Sequence, residues 1–433
     1  MQYIELRLFF NRFKFKKGTK KNLTSNRTGR IKRNITGYDS FIPNKLPPEP
    51  PLQIDDEMQL LLSEADRKLG RLDGITQVLP NPELFVAMYV NKEAVLSAQI
   101  EGTQASLADL LIDNPVQSNL DYSPDGISEV VNYVNAMKWG LQNLDRLPLS
   151  LRLIREIHSK LLENVRGYNK HPGEFRTSQN WIGPAGCNLS TAVFVPPEPD
   201  EMTPALYELE NFIHSQSNIP ALIKIAMIHA QFETIHPFLD GNGRMGRLLI
   251  TFWLCEQRIL SQPLLYLSYY FKLYRSEYYE KLMDVRLKGD WESWIKFFLK
   301  GVAFIADEAI YTAKEILKLR DRCLAQISNE NTNFNKLLDK LFENPVITKK
   351  DAAELLGVAT GTAGAIVETF CKKGILLDTT PNKQRYKKYI FNEYFELLRH
   401  GTDIEKETVD GFLGGCRTKI HHRKGVHSPV SIE

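Results

Sequence analysis

The chain has 433 residues, with 55 Lys and Arg against 52 Asp and Glu, 43% apolar residues and 25% charged ones. This composition predicts two to four ordinary globular domains and excludes a coiled coil, a collagen and a wholly disordered chain. No stretch approaches the roughly 20 uninterrupted apolar residues of a membrane-spanning helix, so no membrane partner is expected.

The net charge of +3 is unevenly spread. Residues 1–35 hold eleven bases and one acid, a net of +10, residues 401–433 balance, and residues 36–400 therefore carry −7. Composition reads residues 1–35 as a basic, disordered leader that fails as a signal peptide because bases interrupt its short apolar run. The five cysteines, Cys187, Cys255, Cys323, Cys371 and Cys416, form no C-x-x-C pair, which points to a reducing, cytoplasmic location.

The Pro-rich strip from Pro43 to Pro51 reads as extended chain, placing the start of the globular part near residues 36 to 52. Helical spacing of apolar residues then predicts helices over 55–72 and 82–101, the second opened by Asn81 before Pro82. Further helices are predicted at about 126–144, 148–164, 202–216, 219–234, 242–258, 275–287, 291–299 and 301–328. Between them, Trp181–Val195 has strand character on both sides of Gly183-Pro184-Ala185-Gly186 and reads as a hairpin-like flap.

After residue 330 the pattern changes. A helix over 333–343 stops before Pro345, Thr348 and Asp351 form a capping box for a helix over 349–356, and a third helix ends near Gly374. Ile375–Leu377 and Tyr386–Phe391 follow as the two strands of a wing, giving a winged-helix pattern over residues 331–400. Lys383, Arg385, Lys387 and Lys388 on the wing suit weak phosphate contact with nucleic acid. The third helix offers mainly Gly361, Ala363, Gly364, Ala365 and Glu368, few of which could read base edges, so an interaction or homodimerisation role is the broader expectation. Residues 401–433, with Cys416, His421, His422 and His427, match no zinc spacing and read as a disordered tail.

The segment that carries chemistry is His236-Pro237-Phe238-Leu239-Asp240-Gly241-Asn242-Gly243-Arg244-Met245-Gly246-Arg247, set between two apolar helices. Gly241 and Gly243 let the backbone turn its N–H groups toward one point where a helix begins, which is a ready anion site. Arg244 and Arg247, three apart, can grip phosphate oxygens from one helix face. Asp240 offers a hard oxygen for Mg²⁺, and His236 is close enough to take a proton from a group attacking a phosphate. Singly, these are a packing His, a turn and a solvated helix face; together they describe phosphoryl or nucleotidyl transfer.

The twelve residues match H-x-F-x-[D/E]-G-N-G-R-x-x-R without departure, and on them the chain resembles the Fic (filamentation induced by cAMP) family. The resemblance extends over most of residues 38–330 and implies a mainly α fold: an all-helical core at 116–330 with a β-hairpin flap, preceded by a helical region at 36–115. It implies transfer of AMP from ATP to a Tyr, Thr or Ser hydroxyl of a protein, the chain itself included. His236 would be the base, Asp240 would hold Mg²⁺, and Gly241, Asn242 and Gly243 would line the anion hole. Arg244 would steady the phosphates and Arg247 would reach the γ-phosphate. Trp181, Ile182, Gly183, Val193, Phe194 and Val195 would form the flap on which a target segment docks as an added strand.

Ser97-Ala98-Gln99-Ile100-Glu101-Gly102 resembles the family's inhibitory motif. Ser97 and Glu101 share a helix face, Gly102 stops the helix, and Glu101 is expected to engage Arg247 in place of the γ-phosphate. The same carboxylate could orient water for AMP removal. Two other functions compete: transfer of another nucleotide or phosphate moiety, against which the intact Gly-Asn-Gly speaks, and a DNA-binding regulator whose helical core serves as a nucleotide sensor.

Overall fold

The computed structural model describes residues 25–78, 82–112, 125–184, 186–381 and 387–402. The expected Asn81 cap, Lys383 and Arg385 of the wing, and the Cys and His residues of the tail lie outside these.

The first elements are two strands, β1 (Gly29–Arg33) and β2 (Asp39–Pro43), paired antiparallel with Ile31 opposite Phe41. Composition had assigned residues 29–33 to the leader. Local charge misleads here because the hairpin is held by distant partners: Arg27 forms an ion pair with Glu292 at 2.8 Å, and Thr28 donates to the Val285 carbonyl.

Helices α1 (Asp56–Val78), α2 (Pro82–Ile100), α3 (Leu107–Ile112), α4 (Asp125–Leu144) and α5 (Leu151–Leu161) follow. Then come α6 (Pro199–His214), α7 (Ala221–Ile235), α8 (Asn242–Glu256), α9 (Ser268–Leu273), α10 (Arg275–Lys288) and α11 (Trp291–Gln326). Helix α7 is buried on all sides from Leu222 onward, as a central helix must be. It packs against α6, α8 and α11, so the loop leaving its C-terminus issues from the middle of the core.

The two helices expected at 291–299 and 301–328 are one helix of 36 residues. Gly301 is there for contact, not for termination: a Cβ on it would stand 2.7 Å from the Tyr270 ring. The short helices α3 and α9 had no periodic signal, since each spans only 6 residues. The expected flap hairpin is slighter than its sequence suggested, reduced to one bridge between Ile182 and Phe194.

The C-terminal region comprises α12 (Thr332–Glu343), β3 (Val346–Thr348), α13 (Lys349–Leu356), α14 (Thr360–Lys372), β4 (Leu377–Asp378), β5 (Lys388–Ile390) and α15 (Asn392–Arg399). The capping box forms between Thr348 and Asp351. Strand β3, absent from the sequence reading because it is 3 residues long, completes a sheet of order β3-β5-β4. Helix α15 turns back onto α2 and α11. Among the described residues no helix is long and apolar enough to cross a membrane.

Candidate active site

The loop between α7 and α8 is fixed by one buried ring. Phe238 is fully buried and stacks on His158 of α5, ring centres 3.6 Å apart and nearly parallel, with Phe175 at 5.3 Å. The Asn242 side chain closes the loop on itself, its Oδ1 accepting from the Phe238 N–H and its Nδ2 donating to the Phe238 carbonyl, both at 2.8 Å. The Asn242 amide is therefore committed to the loop, leaving only its backbone N–H for an anion. His158 accepts the Gly173 N–H at Nδ1, which leaves its Nε2–H to donate to the Asp240 carbonyl at 2.9 Å. Burial pushes this imidazole down to about 4, in keeping with a neutral ring. Gly241 sits at φ 75, and a Cβ there would press on His158 Nε2 at 3.2 Å.

Asp240 lies beside this anchored turn with its side chain about one-third exposed. Its Oδ1 accepts the Gly241 N–H at 2.6 Å and stands 3.5 Å from Arg244 Nη2. Among the described residues no group of three His, Cys, Asp or Glu could hold a metal, so a cation here would rest on one carboxylate plus substrate oxygens, the usual habit of Mg²⁺. Arg244 is 1% exposed, 3.5 Å from Glu129 of α4, and its Nε and Nη1 lack hydrogen-bond partners. A buried guanidinium held by two 3.5 Å ion pairs keeps donors that could grip an anion.

Arg247, one turn further along α8, is occupied. Its Nε donates to Ser97 Oγ at 2.8 Å, and its Nη2 donates to the Ser97 carbonyl at 3.0 Å and to Glu101 Oε1 at 2.8 Å. The expected pair of the α2 end and the second arginine is thus formed across 146 residues of sequence. Burial pushes the Glu101 carboxyl up, but Arg247, then Arg244 and Arg275, outweigh it and hold the group below its ordinary value. Glycine at 243 makes the approach possible, because a Cβ would fall 2.2 Å from Glu101 Oε1. Gly102 follows at φ 92 and ends the helix as expected.

His236 caps α7 in the left-handed region, φ 51, and its Nδ1 is buried without a hydrogen bond. Its carbonyl accepts from Arg176 Nε at 3.0 Å and from Asn180 Nδ2 at 3.1 Å. Burial, then the Arg286 and Arg176 charges, push the imidazole down to about 3. It is neutral at pH 7 and able to accept a proton, and a triphosphate arriving nearby would raise its basicity. One turn earlier, Glu233 is buried with Oε1 unpaired, and burial pushes it up to about 7. Gly246 admits it: a Cβ there would meet Glu233 Oε1 at 2.3 Å.

The flap residues come together beside His236. Ile182 exchanges backbone hydrogen bonds with Phe194 and receives one from Val193. Trp181 is partly exposed and donates from Nε1 to the Cys187 carbonyl. Gly183 faces Cys187, whose Sγ would lie 2.6 Å from a Cβ. The β1–β2 hairpin backs the flap: the Phe41 N–H donates to the Val195 carbonyl, and Phe41 packs with Val193, Phe194 and Met283. Arg286 lies over the Phe194 ring at 4.3 Å.

The residues expected in the site fall into three groups: the α7–α8 junction, the end of α2 and the flap. Sequence reasoning missed His158, Glu129, Arg176, Glu233 and Arg286. None stands in a spaced motif of its own, although Glu233 precedes His236 by one helical turn and so shares its face.

The helical junction joins a neutral imidazole, a hard carboxylate, a helix N-terminus and two buried arginines, groups suited to phosphate oxygens. Residues 59–142 match the Fic/DOC family N-terminal description and residues 148–254 match the Fic/DOC family. The chain therefore carries the N-terminal and core regions of the Fic/DOC family. A protein adenylyltransferase Fic of Drosophila mojavensis is 30% identical over 255 residues, 56% of this chain and 46% of that protein. That of Drosophila virilis is 29% identical over 205 residues, 46% of this chain and 39% of that protein. The chain thus spans less than half the length of these two relatives. The crystal structure of a Fic family protein from Desulfovibrio desulfuricans G20 aligns with 79% of this chain and 97% of its own, at a TM-score of 0.52 and 20% identity, a likeness of fold.

Proposed function

We propose that the chain is an autoinhibited protein adenylyltransferase that moves AMP from Mg²⁺-bound ATP to a Tyr, Thr or Ser hydroxyl of a target protein or of itself. The observation that carries this reading is the state of the two arginines: Arg244 is buried with donors unused, while Arg247 is taken by Glu101. In the reaction, His236 accepts the hydroxyl proton as the oxygen attacks the α-phosphorus, and the bond to the bridging oxygen breaks to release pyrophosphate. Mg²⁺, held through Asp240, would supply charge neutralisation at the phosphates. Backbone N–H groups at Gly241, Asn242 and Gly243 and the Arg244 guanidinium hold the nucleotide in line. While Glu101 occupies Arg247, the γ-phosphate lacks its partner. AMP removal through the same carboxylate fits the same site.

The order α12-β3-α13-α14-β4-β5 supports a winged-helix reading of residues 331–400. Its charge supports an interaction unit over a DNA reader: Lys349 pairs with Glu368 on α14, and Lys387 with Asp378, each at 2.7 Å. The absence of a membrane-crossing helix among the described residues and the unpaired thiols at Cys187, Cys255, Cys323 and Cys371 support a cytoplasmic location.

Intact-mass spectrometry after incubation with Mg²⁺ and ATP tests the proposal. The expected result is little added mass on the wild type, one or more AMP groups on Glu101→Gly, and none on Glu101→Gly with His236→Ala. Equal labelling of wild type and Glu101→Gly removes the brake; no labelling of either, with or without added cell extract, removes the enzyme.

A further inference from the structure

We infer that Arg176 is a positioning residue that locks the docking flap to the general base, so that a hydroxyl held on the flap and the His236 imidazole keep one fixed separation. The inference rests on the adenylyl-transfer reading of the site, and it goes beyond it by assigning a part to a side chain that touches neither nucleotide nor target.

The guanidinium is 3% exposed and is spent entirely on main-chain carbonyls. Nε donates to His236, Nη1 to Ser178 at 3.2 Å, and Nη2 to Pro197 and, at 3.5 Å, to Ile235. The Arg176 N–H adds a bond to the Pro237 carbonyl at 2.9 Å. Ser178 precedes the flap and Pro197 follows it, so one planar fork ties both stems of the flap to the residue that would take the proton. Asn180 repeats the pattern on a smaller scale, joining the flap stem to the carbonyls of His236 and Phe238.

Two features separate this from ordinary packing. Among the described residues no carboxylate lies within ion-pair distance of Arg176, so a cation is kept in the interior without an ionic partner, an arrangement that carries a desolvation cost an apolar residue would avoid. The side chain also sits where the backbone is least able to hold itself: His236 has left α7 for the left-handed region, and the flap is joined by a single bridge. A rigid planar fork reaches carbonyls spread across its width, here those of His236, Ser178, Pro197 and Ile235, whereas an ammonium presents its three donors from a single point. In-line transfer tolerates little error in the distance between hydroxyl and base, on the order of 10²-fold in rate for about 1 Å.

The test uses the full chain with Glu101→Gly, comparing Arg176, Arg176→Gln and Arg176→Lys. Arg176→Gln is expected to lower self-adenylylation or target labelling by roughly ten- to a hundredfold, with the Mg-ATP dissociation constant changed by less than about threefold, since the Arg176 hydrogen bonds go to Ser178, Pro197, Ile235, His236 and Pro237 and not to the Gly241–Arg244 turn. Arg176→Lys, whose three donors converge on one atom and cannot span both flap stems and His236, is expected to recover part of the rate. Hydrogen exchange supplies a readout independent of activity: peptides covering residues 178–197 and 236–241 should exchange faster together in Arg176→Gln, while the interior of α8 does not change. Labelling within twofold of the parent, equal losses in rate and ATP affinity, or faster exchange spread over the whole chain would each overturn the inference. A parent that transfers no AMP overturns the adenylyl-transfer reading, and the exchange experiment then still decides whether Arg176 binds flap to loop.

Discussion

Glu101→Gln removes the charge from the inhibitory contact and leaves its shape. The carboxylate faces Arg247 at 2.8 Å, with the arginine side chain 2% exposed and the Glu101 side chain 33% exposed. Breaking a fully buried pair costs about 3–5 kcal/mol; one partner reached by solvent, and a Gln oxygen that can still accept a hydrogen bond, reduce this to about 1–3 kcal/mol. Ser97 keeps two of the Arg247 bonds, so the guanidinium stays in place. The same energy, removed from the competition between Glu101 and the γ-phosphate, corresponds to about a fivefold to 150-fold gain in self-labelling. Glu233 gives the effect a pH signature. Burial holds that carboxyl at about 7, so it is largely neutral at pH 6 and largely ionised at pH 8. Once Glu101 has lost its charge, an ionised Glu233, with Glu93 beyond it, is a remaining counter-charge for Arg247. Urea unfolding should therefore show a larger loss for Glu101→Gln at pH 6 than at pH 8. Equal stability of variant and wild type at both pH values, with no rise in labelling, would refute the electrostatic account of the brake.

His158→Phe keeps the stack on Phe238 and loses the hydrogen bonds to Gly173 and Asp240; a loss of about 1–3 kcal/mol in urea unfolding is expected, with weakened Mg-ATP binding by calorimetry in the Glu101→Gly background. Gly301→Ala distinguishes a contact glycine from a helix-ending one. Helix propensity alone would stabilise by about 1 kcal/mol, whereas pressing on Tyr270 costs about 1–3 kcal/mol, so a lower melting temperature is expected. The pH response of the brake follows from Glu101. Its folded value is depressed, so the ion pair's contribution is present above the ordinary carboxyl value and is lost as pH falls through the lowered one. Wild-type labelling, normalised to Glu101→Gly, should fall somewhat as pH drops from about 8 to about 6 and Glu233 becomes neutral, and should not rise down to about pH 5; a rise within that window contradicts the pairing.

The long helices and the reactive loop were legible because their signals are local. Periodicity marks α7 and α8 directly, and Gly241 marks the break at which the second of them begins. The pairing of Glu101 with Arg247 was legible only through the family resemblance, since nothing in either segment alone requires the other. What escaped was held by distance. Strand β1 reads as a basic leader until Glu292 and Val285 are seen to receive Arg27 and Thr28. Gly301 reads as a break until Tyr270 is beside it. Arg176 looks like one of 55 bases, and its role depends on carbonyls at Ser178, Pro197, Ile235 and His236 that no spacing rule brings together.

The strength of the Glu101–Arg247 contact depends on how firmly the end of α2 is held as much as on the pair itself. Three elements hold it. Arg275 of α10 donates to the Ile100 carbonyl. Gln99 donates to Ala105 and to Thr402, both at 2.8 Å. Thr402 follows α15, is fully buried, and is preceded by Gly401, where a Cβ would strike the Tyr269 ring at 2.4 Å. Thr402 thus meets the segment that leads into Glu101. Moving the end of α2 away from Arg247 would break the Gln99 and Arg275 bonds as well as the ion pair, so the contact rests on the packing of α10 and Thr402 as much as on charge.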